Sequence, residues 1–156
     1  MADLRRQANR PITILMAEDD PEDQMLVREG LAESRLANDL HIVENGEELM
    51  DYLRRCGQFD APDESPCPGL ILLDLNMPRM NGREALELIK ADPDLRCIPV
   101  VVLTSSKSEA DIVRSYNLGA NSYITKPVTF EALAHVLKIL GKYWFEIVEL
   151  PRGSGR

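Results

Sequence analysis

The sequence predicts a doubly wound α/β fold: a five-stranded parallel sheet flanked by helices, with a long C-terminal helix. Three observations predict it. Five short apolar runs alternate with five stretches of helical periodicity. One run, Leu70 to Leu73, is four aliphatics bounded by turn residues, the pattern of a strand buried on both faces. The runs also end in polar residues that this alternation collects along one sheet edge. They are Glu18, Asp19 and Asp20 after the first run, Asp74 after the third, Thr104 after the fourth and Lys126 after the fifth. Open α/β sheets bind their ligands at that edge.

Each element has a local reason. Residues 1–10 are polar and basic and read as a flexible tail. Ile12 to Ala17 is the first strand. Asp20 caps the first helix with Pro21 at its first position, and Met25, Leu26, Glu29 and Leu31 follow to about Ser34. Asp39 to Val43 is the second strand, closed by Glu44-Asn45-Gly46. Glu47 to Arg55 is the second helix, with Leu49, Met50 and Leu53 as its apolar face. Residues 57–69 hold Pro62, Pro66, Pro68 and three acids, and read as a surface loop insertion, either partner-facing or without a role. After the Leu70–Leu73 strand, Pro78 and Gly82 force a turn, and a third helix runs from Gly82 to about Ala91 until Asp92-Pro93-Asp94 breaks it.

Ile98 to Leu103 is the fourth strand. Ser108 caps the fourth helix, Glu109 to about Asn117, and Gly119 follows its end. Ser122 to Thr125 is the fifth strand. Thr129 caps the last helix, whose apolar residues Leu133, Val136, Leu137, Leu140, Trp144, Ile147 and Val148 keep helical spacing past Gly141 to about Glu149. A break at Gly141 is the alternative, since glycine costs about 1 kcal/mol there. Residues 11–150 thus form one domain, 141–150 extend its last helix, and 151–156 are a tail.

Bulk properties exclude several functions. A net charge of −8 and a pI near 4.8 argue against binding to nucleic acid or anionic membranes. No run reaches the length of a membrane span, and the N-terminus has no signal-peptide core, so a cytoplasmic location is expected. Cys56, Cys67 and Cys97 are odd in number, form no CxxC pair and fit reduced thiols. His41 and His135 lack partners at ligand spacing and read as structural.

The edge constellation carries the chemistry. Converging carboxylates repel unless a divalent cation sits among them, and magnesium takes oxygen ligands of this kind. Lys126 adds a positive charge near Asp74, and Thr104 adds a hydroxyl. A carboxylate, a cation, a lysine and a hydroxyl suit phosphoryl transfer to Asp74 as nucleophile. Asp20 reads as a helix cap rather than a ligand.

With Glu18-Asp19, Asp74-Leu75-Asn76-Met77-Pro78, Gly82, Thr104 and Lys126-Pro127 in order, the chain resembles the receiver domain of two-component response regulators from about Ile12 to Leu140. Within that family it is most similar to stand-alone regulators paired with phytochrome-type sensor histidine kinases. The pointers are the Pro-rich loop before the third strand, Arg79, and the terminal Tyr-Trp-Phe-Glu-Ile-Val-Glu-Leu-Pro.

The resemblance implies the flavodoxin-like strand order 2-1-3-4-5. It implies that Asp74 accepts a phosphoryl group from a kinase phosphohistidine. Asp19 would bind magnesium directly, Glu18 through water, and Asn76 through its backbone carbonyl. Lys126 would pair with Asp74 or the phosphoryl oxygens, with a cis bond to Pro127. Thr104 and Tyr123 would act as switch residues, Tyr123 being core packing in the alternative. Ser105, Ser106 and Asn76 would tune access to the site and the phosphate lifetime. Glu18 departs from the aspartate of many members.

Output is expected through protein contact, because no DNA-binding module follows. The terminal apolar stripe either covers its own sheet or, as we favour, forms a homodimer interface with Tyr143, Trp144, Phe145 and Ile147. The competing readings are an aspartate-nucleophile phosphohydrolase and a phosphate-sink or scaffold receiver. Such hydrolases generally use a second acid two residues past the nucleophile, where this chain has Asn76. The expectation is therefore a phosphoacceptor with slow self-dephosphorylation, not an enzyme.

Overall fold

The computed structural model describes residues 12–33, 38–55, 67–105 and 108–126, and positions 132, 135 and 139. In chain order the elements are β1 (Ile12–Ala17), α1 (Pro21–Glu33), β2 (Asn38–Val43), α2 (Gly46–Arg55), β3 (Leu70–Leu73), α3 (Gly82–Ala91), β4 (Val100–Thr104), α4 (Glu109–Leu118) and β5 (Ser122–Thr125). Every pairing is parallel and the order is β2-β1-β3-β4-β5, as expected. Positions 132, 135 and 139 are helical. The expected C-terminal extension, both tails and most of the 57–69 loop lie outside the described residues.

Strand alternation builds two cores. Leu15, Ala17, Ile71, Leu73, Val100 and Val102 pack on one face with Leu49, Met50 and Leu53 of α2 and Ala85, Leu86 and Ile89 of α3. Ile14, Met16, Leu70, Leu72, Val101 and Leu103 pack on the other with Val27 and Leu31 of α1. All four residues of β3 are buried, so the uninterrupted aliphatic run is explained by cover on both faces. The apolar face expected for α2 is the buried one.

One local reading needs correction. On α1, Val27 and Leu31 are buried and Leu26 packs beside them, while Met25 is 58% exposed. Met25, Leu26 and Val27 are consecutive, and only the approach angle to the sheet decides which turns inward. Strand β4 begins at Val100 rather than Ile98. Pro99 has no N–H to give the ladder; it supplies only its carbonyl, which accepts from Ile71 N at 3.0 Å.

The caps follow the sequence. Asp20 Oδ1 accepts from Glu22 N at 2.9 Å at the start of α1. Ser108 caps α4, and Gly119 ends it in the left-handed region at φ 108°. Asn45 and Asn81 cap α2 and α3 by accepting from Glu48 N and Glu84 N. Cys67 is disulfide-bonded and Cys97 is free, which corrects the reading of three reduced thiols. An odd count is equally met by one bond and one free thiol.

Candidate functional site

Parallel pairing runs one residue past the strands and fixes the site's backbone. Glu18 N donates to Val43 O at 2.9 Å, Asp74 N to Ala17 O at 3.1 Å, and Lys126 N to Thr104 O at 2.8 Å. Register aligns Ala17 with Leu73 and Thr104 with Thr125, so the residues that follow meet at one edge. Gly82 lets α3 start against this edge. A Cβ there would lie 2.1 Å from the Asp74 carbonyl oxygen, and Gly82 N donates to Leu75 O at 3.0 Å.

Asp74 is 6% exposed and its carboxylate is held on both oxygens. Thr104 Oγ1 donates to Oδ1 at 2.7 Å, and Asn76 N donates to the same oxygen at 3.2 Å. Lys126 Nζ donates to Oδ2 at 3.1 Å. The same ammonium pairs with Glu18 Oε1 and, at 2.9 Å, with Asp23 Oδ2. Glu18 is wholly buried, with its Oε2 3.3 Å from Asp20 N and its carbonyl accepting from Gln24 Nε2 at 2.7 Å.

Burial and charge set the protonation states. Burial pushes the Glu18 carboxyl up to about 8; the Lys126 contact opposes this and neighbouring Asp74 reinforces it. Burial also acts on Asp74. Hydrogen bonds from Thr104 and Glu18 and the Lys126 charge outweigh it and hold Asp74 below the ordinary carboxylate value. Lys126 is raised despite burial, because Glu18 and Asp23 hydrogen-bond the charged form and Asp74 adds attraction.

The expected ligands converge. Carboxylate oxygens of Glu18, Asp19 and Asp74 lie within 4.8 Å of one another. Two of these acids are buried and Asp19 is exposed, so the cluster opens to solvent on one side. An all-oxygen set with excess negative charge suits a hard divalent cation. Burial chiefly, and the neighbouring Asp74 after it, raise the Glu18 carboxyl despite the Lys126 contact.

Of the other expected residues, Ser105 is exposed directly after Thr104, and the Asn76 residue is exposed. Tyr123 is half-buried against the core cluster that holds Val102, its partner in register, and Tyr123 N donates to Tyr116 Oη at 3.1 Å. Ser106, Pro127, Tyr143, Trp144, Phe145 and Ile147 lie outside the described residues. His41 pairs with Asp39 at 2.9 Å and tilts against Tyr52, away from the site.

Two features escaped the sequence reading. Asp23 reaches Lys126 from the first turn of α1; its only signal is its position four residues after Asp19. Arg83 of α3 clamps Asp111 of α4 through Nε at 2.8 Å and an Nη at 2.6 Å, and lies 3.4 Å from Leu75 O. No local spacing announces a pair 28 residues apart.

Comparison with known proteins adds a further line. Residues 14–138 match the response regulator receiver domain family. The chain is 42% identical over 145 residues to response regulator Rcp1 of Synechocystis sp., covering 93% of this chain and 97% of that protein. The crystal structure of the Mn(2+)-bound form of Rcp1 superposes with a TM-score of 0.81, covering 91% of this chain and all of that one. The phosphorylated cyanobacterial phytochrome response regulator RcpA is 40% identical with a TM-score of 0.83, covering 92% of this chain and all of its own.

Proposed function

Since the chain belongs to the response regulator receiver domain family, we propose that Asp74 accepts a phosphoryl group from the phosphohistidine of a sensor histidine kinase. The observation that carries this reading is the dressing of Asp74. One oxygen takes Thr104 and the Asn76 amide, and the other takes Lys126. A buried carboxylate kept ionised by such partners is a ready nucleophile. Its attack forms a phosphorus–oxygen bond as the donor's phosphorus–nitrogen bond breaks, and the electron pair leaves on the imidazole.

Lys126 neutralises charge on the transferred oxygens, and Thr104 exchanges its bond to the carboxylate for one to the phosphoryl group. Asp19, Asp74, Glu18 through water, and the Asn76 carbonyl are the residues that would hold magnesium. Its chemistry there is neutralisation of the phosphoryl oxygens. Tyr123, packed behind Thr104's strand, is the aromatic element of the switch. Ser105, Ser106 and Asn76 border the site and tune the phosphate lifetime.

Phytochrome regulators among the relatives support a phytochrome-type kinase as the partner. Output is by protein contact, through a homodimer that uses Tyr143, Trp144, Phe145 and Ile147. No helix among the described residues is long and apolar enough to cross a membrane. The hydrolase reading is disfavoured because Asn76 offers no general acid two residues past Asp74.

Incubation with phosphoramidate and magnesium tests the proposal. Wild type should gain one acid-labile phosphoryl group that Asp74→Asn lacks. Equal labelling of both proteins, or multiple turnovers of a phosphoester, would overturn it.

A further inference from the structure

Lys126 has three carboxylate partners, and only one of them keeps its state through the proposed reaction. Asp74 becomes an acyl phosphate. Glu18 belongs to the cluster suited to a divalent cation. Asp23 is outside that cluster and does not react, yet its Oδ2 lies 2.9 Å from Lys126 Nζ. We infer that Asp23 is a positioning residue for phosphoryl transfer, holding the Lys126 ammonium over Asp74 while the other two carboxylates change partners. The inference rests on the phosphoacceptor reading above.

The geometry gives Asp23 what such a role requires. An ammonium has three donors and no acceptor, and Lys126 has three carboxylate acceptors around it. The lysine side chain is only 12% exposed, so a lost partner is poorly replaced by water. The lysine stem is flexible and does not fix its own tip. Asp23, in contrast, sits in the first turn of α1, whose start is capped by Asp20 and tied to the sheet edge by Gln24 on the Glu18 carbonyl. Its anchor is therefore the helix, not the residues that react. The two side chains come from opposite ends of the domain, 103 residues apart in sequence.

The plain alternative is that Asp23 only favours the N-terminus of α1, where any acid is favourable. That role would not depend on Lys126. Phosphoramidate with magnesium serves as the probe. An Asp74 oxygen bonds phosphorus as the phosphorus–nitrogen bond breaks, and nitrogen leaves as ammonia after taking a solvent proton. Asp23→Ala should slow labelling about tenfold, the low end of what losing a supporting contact around a reactive centre costs. In a Lys126→Met background the same substitution should change the rate less than about twofold, because its effect is carried by the lysine. Asp23→Glu should recover part of the rate.

A second measurement is independent of labelling. The side-chain ammonium resonance of Lys126 should be protected from solvent exchange in wild type and lose that protection in Asp23→Ala. Unchanged labelling in Asp23→Ala, the same slowing in the Lys126→Met background, or retained protection would each overturn the inference. Failure of wild type to label would overturn the phosphoacceptor reading instead, and the exchange measurement would still decide whether Asp23 holds the lysine.

Discussion

In chelator, this protein should lose stability as pH rises from about 5 to 8. The perturbed group is Glu18, wholly buried, with its carboxyl raised from 4.5 to about 8 chiefly by burial. Across that window the folded chain holds a proton that the unfolded chain has released. Stability is therefore full below about 4.5 and declines until Glu18 ionises near 8. The slope is at most about 1.4 kcal/mol per pH unit, which sets a ceiling of about 5 kcal/mol. Relaxation of Lys126 toward the ionised acid reduces this, and we expect roughly 2–4 kcal/mol.

Neither neighbour titrates in the window. Asp74 is held below 3.8, and Lys126 is raised above 10.5. Urea unfolding followed by far-UV circular dichroism in EDTA reads the effect, with Glu18→Gln as the reference. The variant should flatten the decline. Added magnesium should stabilise wild type more at pH 8 than at pH 5, because binding must displace the proton. A wild-type curve that is flat or rising between pH 5 and 8 would refute the reasoning, as would an equal slope in Glu18→Gln.

Three further outcomes are expected. Gly82→Ala should destabilise by about 1–3 kcal/mol despite the better helix former, since its Cβ would stand 2.1 Å from the Asp74 carbonyl oxygen; a raised melting temperature would contradict the close approach. The half-buried Arg83–Asp111 fork should show a coupling of about 1–3 kcal/mol in a double-mutant cycle of Arg83→Met and Asp111→Asn, against a value near zero for an exposed pair. Truncation after Lys142 should convert a dimer to a monomer in sedimentation; identical masses for the two chains would remove the proposed interface.

How legible each part was depends on the range of the signal. The fold was readable because β3 is an uninterrupted aliphatic run and its neighbours end in chemically distinctive residues. Parallel pairing then had to bring Glu18, Asp74, Thr104 and Lys126 together. Helix caps were readable because Asp20-Pro21, Ser108 and Gly119 act within one turn. On α1, Leu26 and Leu31 were legible and Val27, the more deeply buried, was not, because consecutive apolar residues leave the packing angle to decide. Asp23 and the Arg83–Asp111 fork were hidden for a related reason. Each is a long-range pairing, and Asp23, Arg83 and Asp111, read locally, are ordinary solvent-facing helix positions.

The joining of the first and last strands at Lys126 has a consequence for biosynthesis. The lysine meets Glu18 across 108 residues and Asp74 across 52. Contacts of such separation form late, because their loop-closure entropy must be met before they stabilise anything. A nascent chain that has emerged only as far as β4 already carries Asp74, Asp19 and Thr104, yet has no cation opposite the acceptor. On the proposed reading the acceptor site is therefore completed only when β5 docks; until then Asp74 lacks the lysine that would neutralise charge on the transferred oxygens.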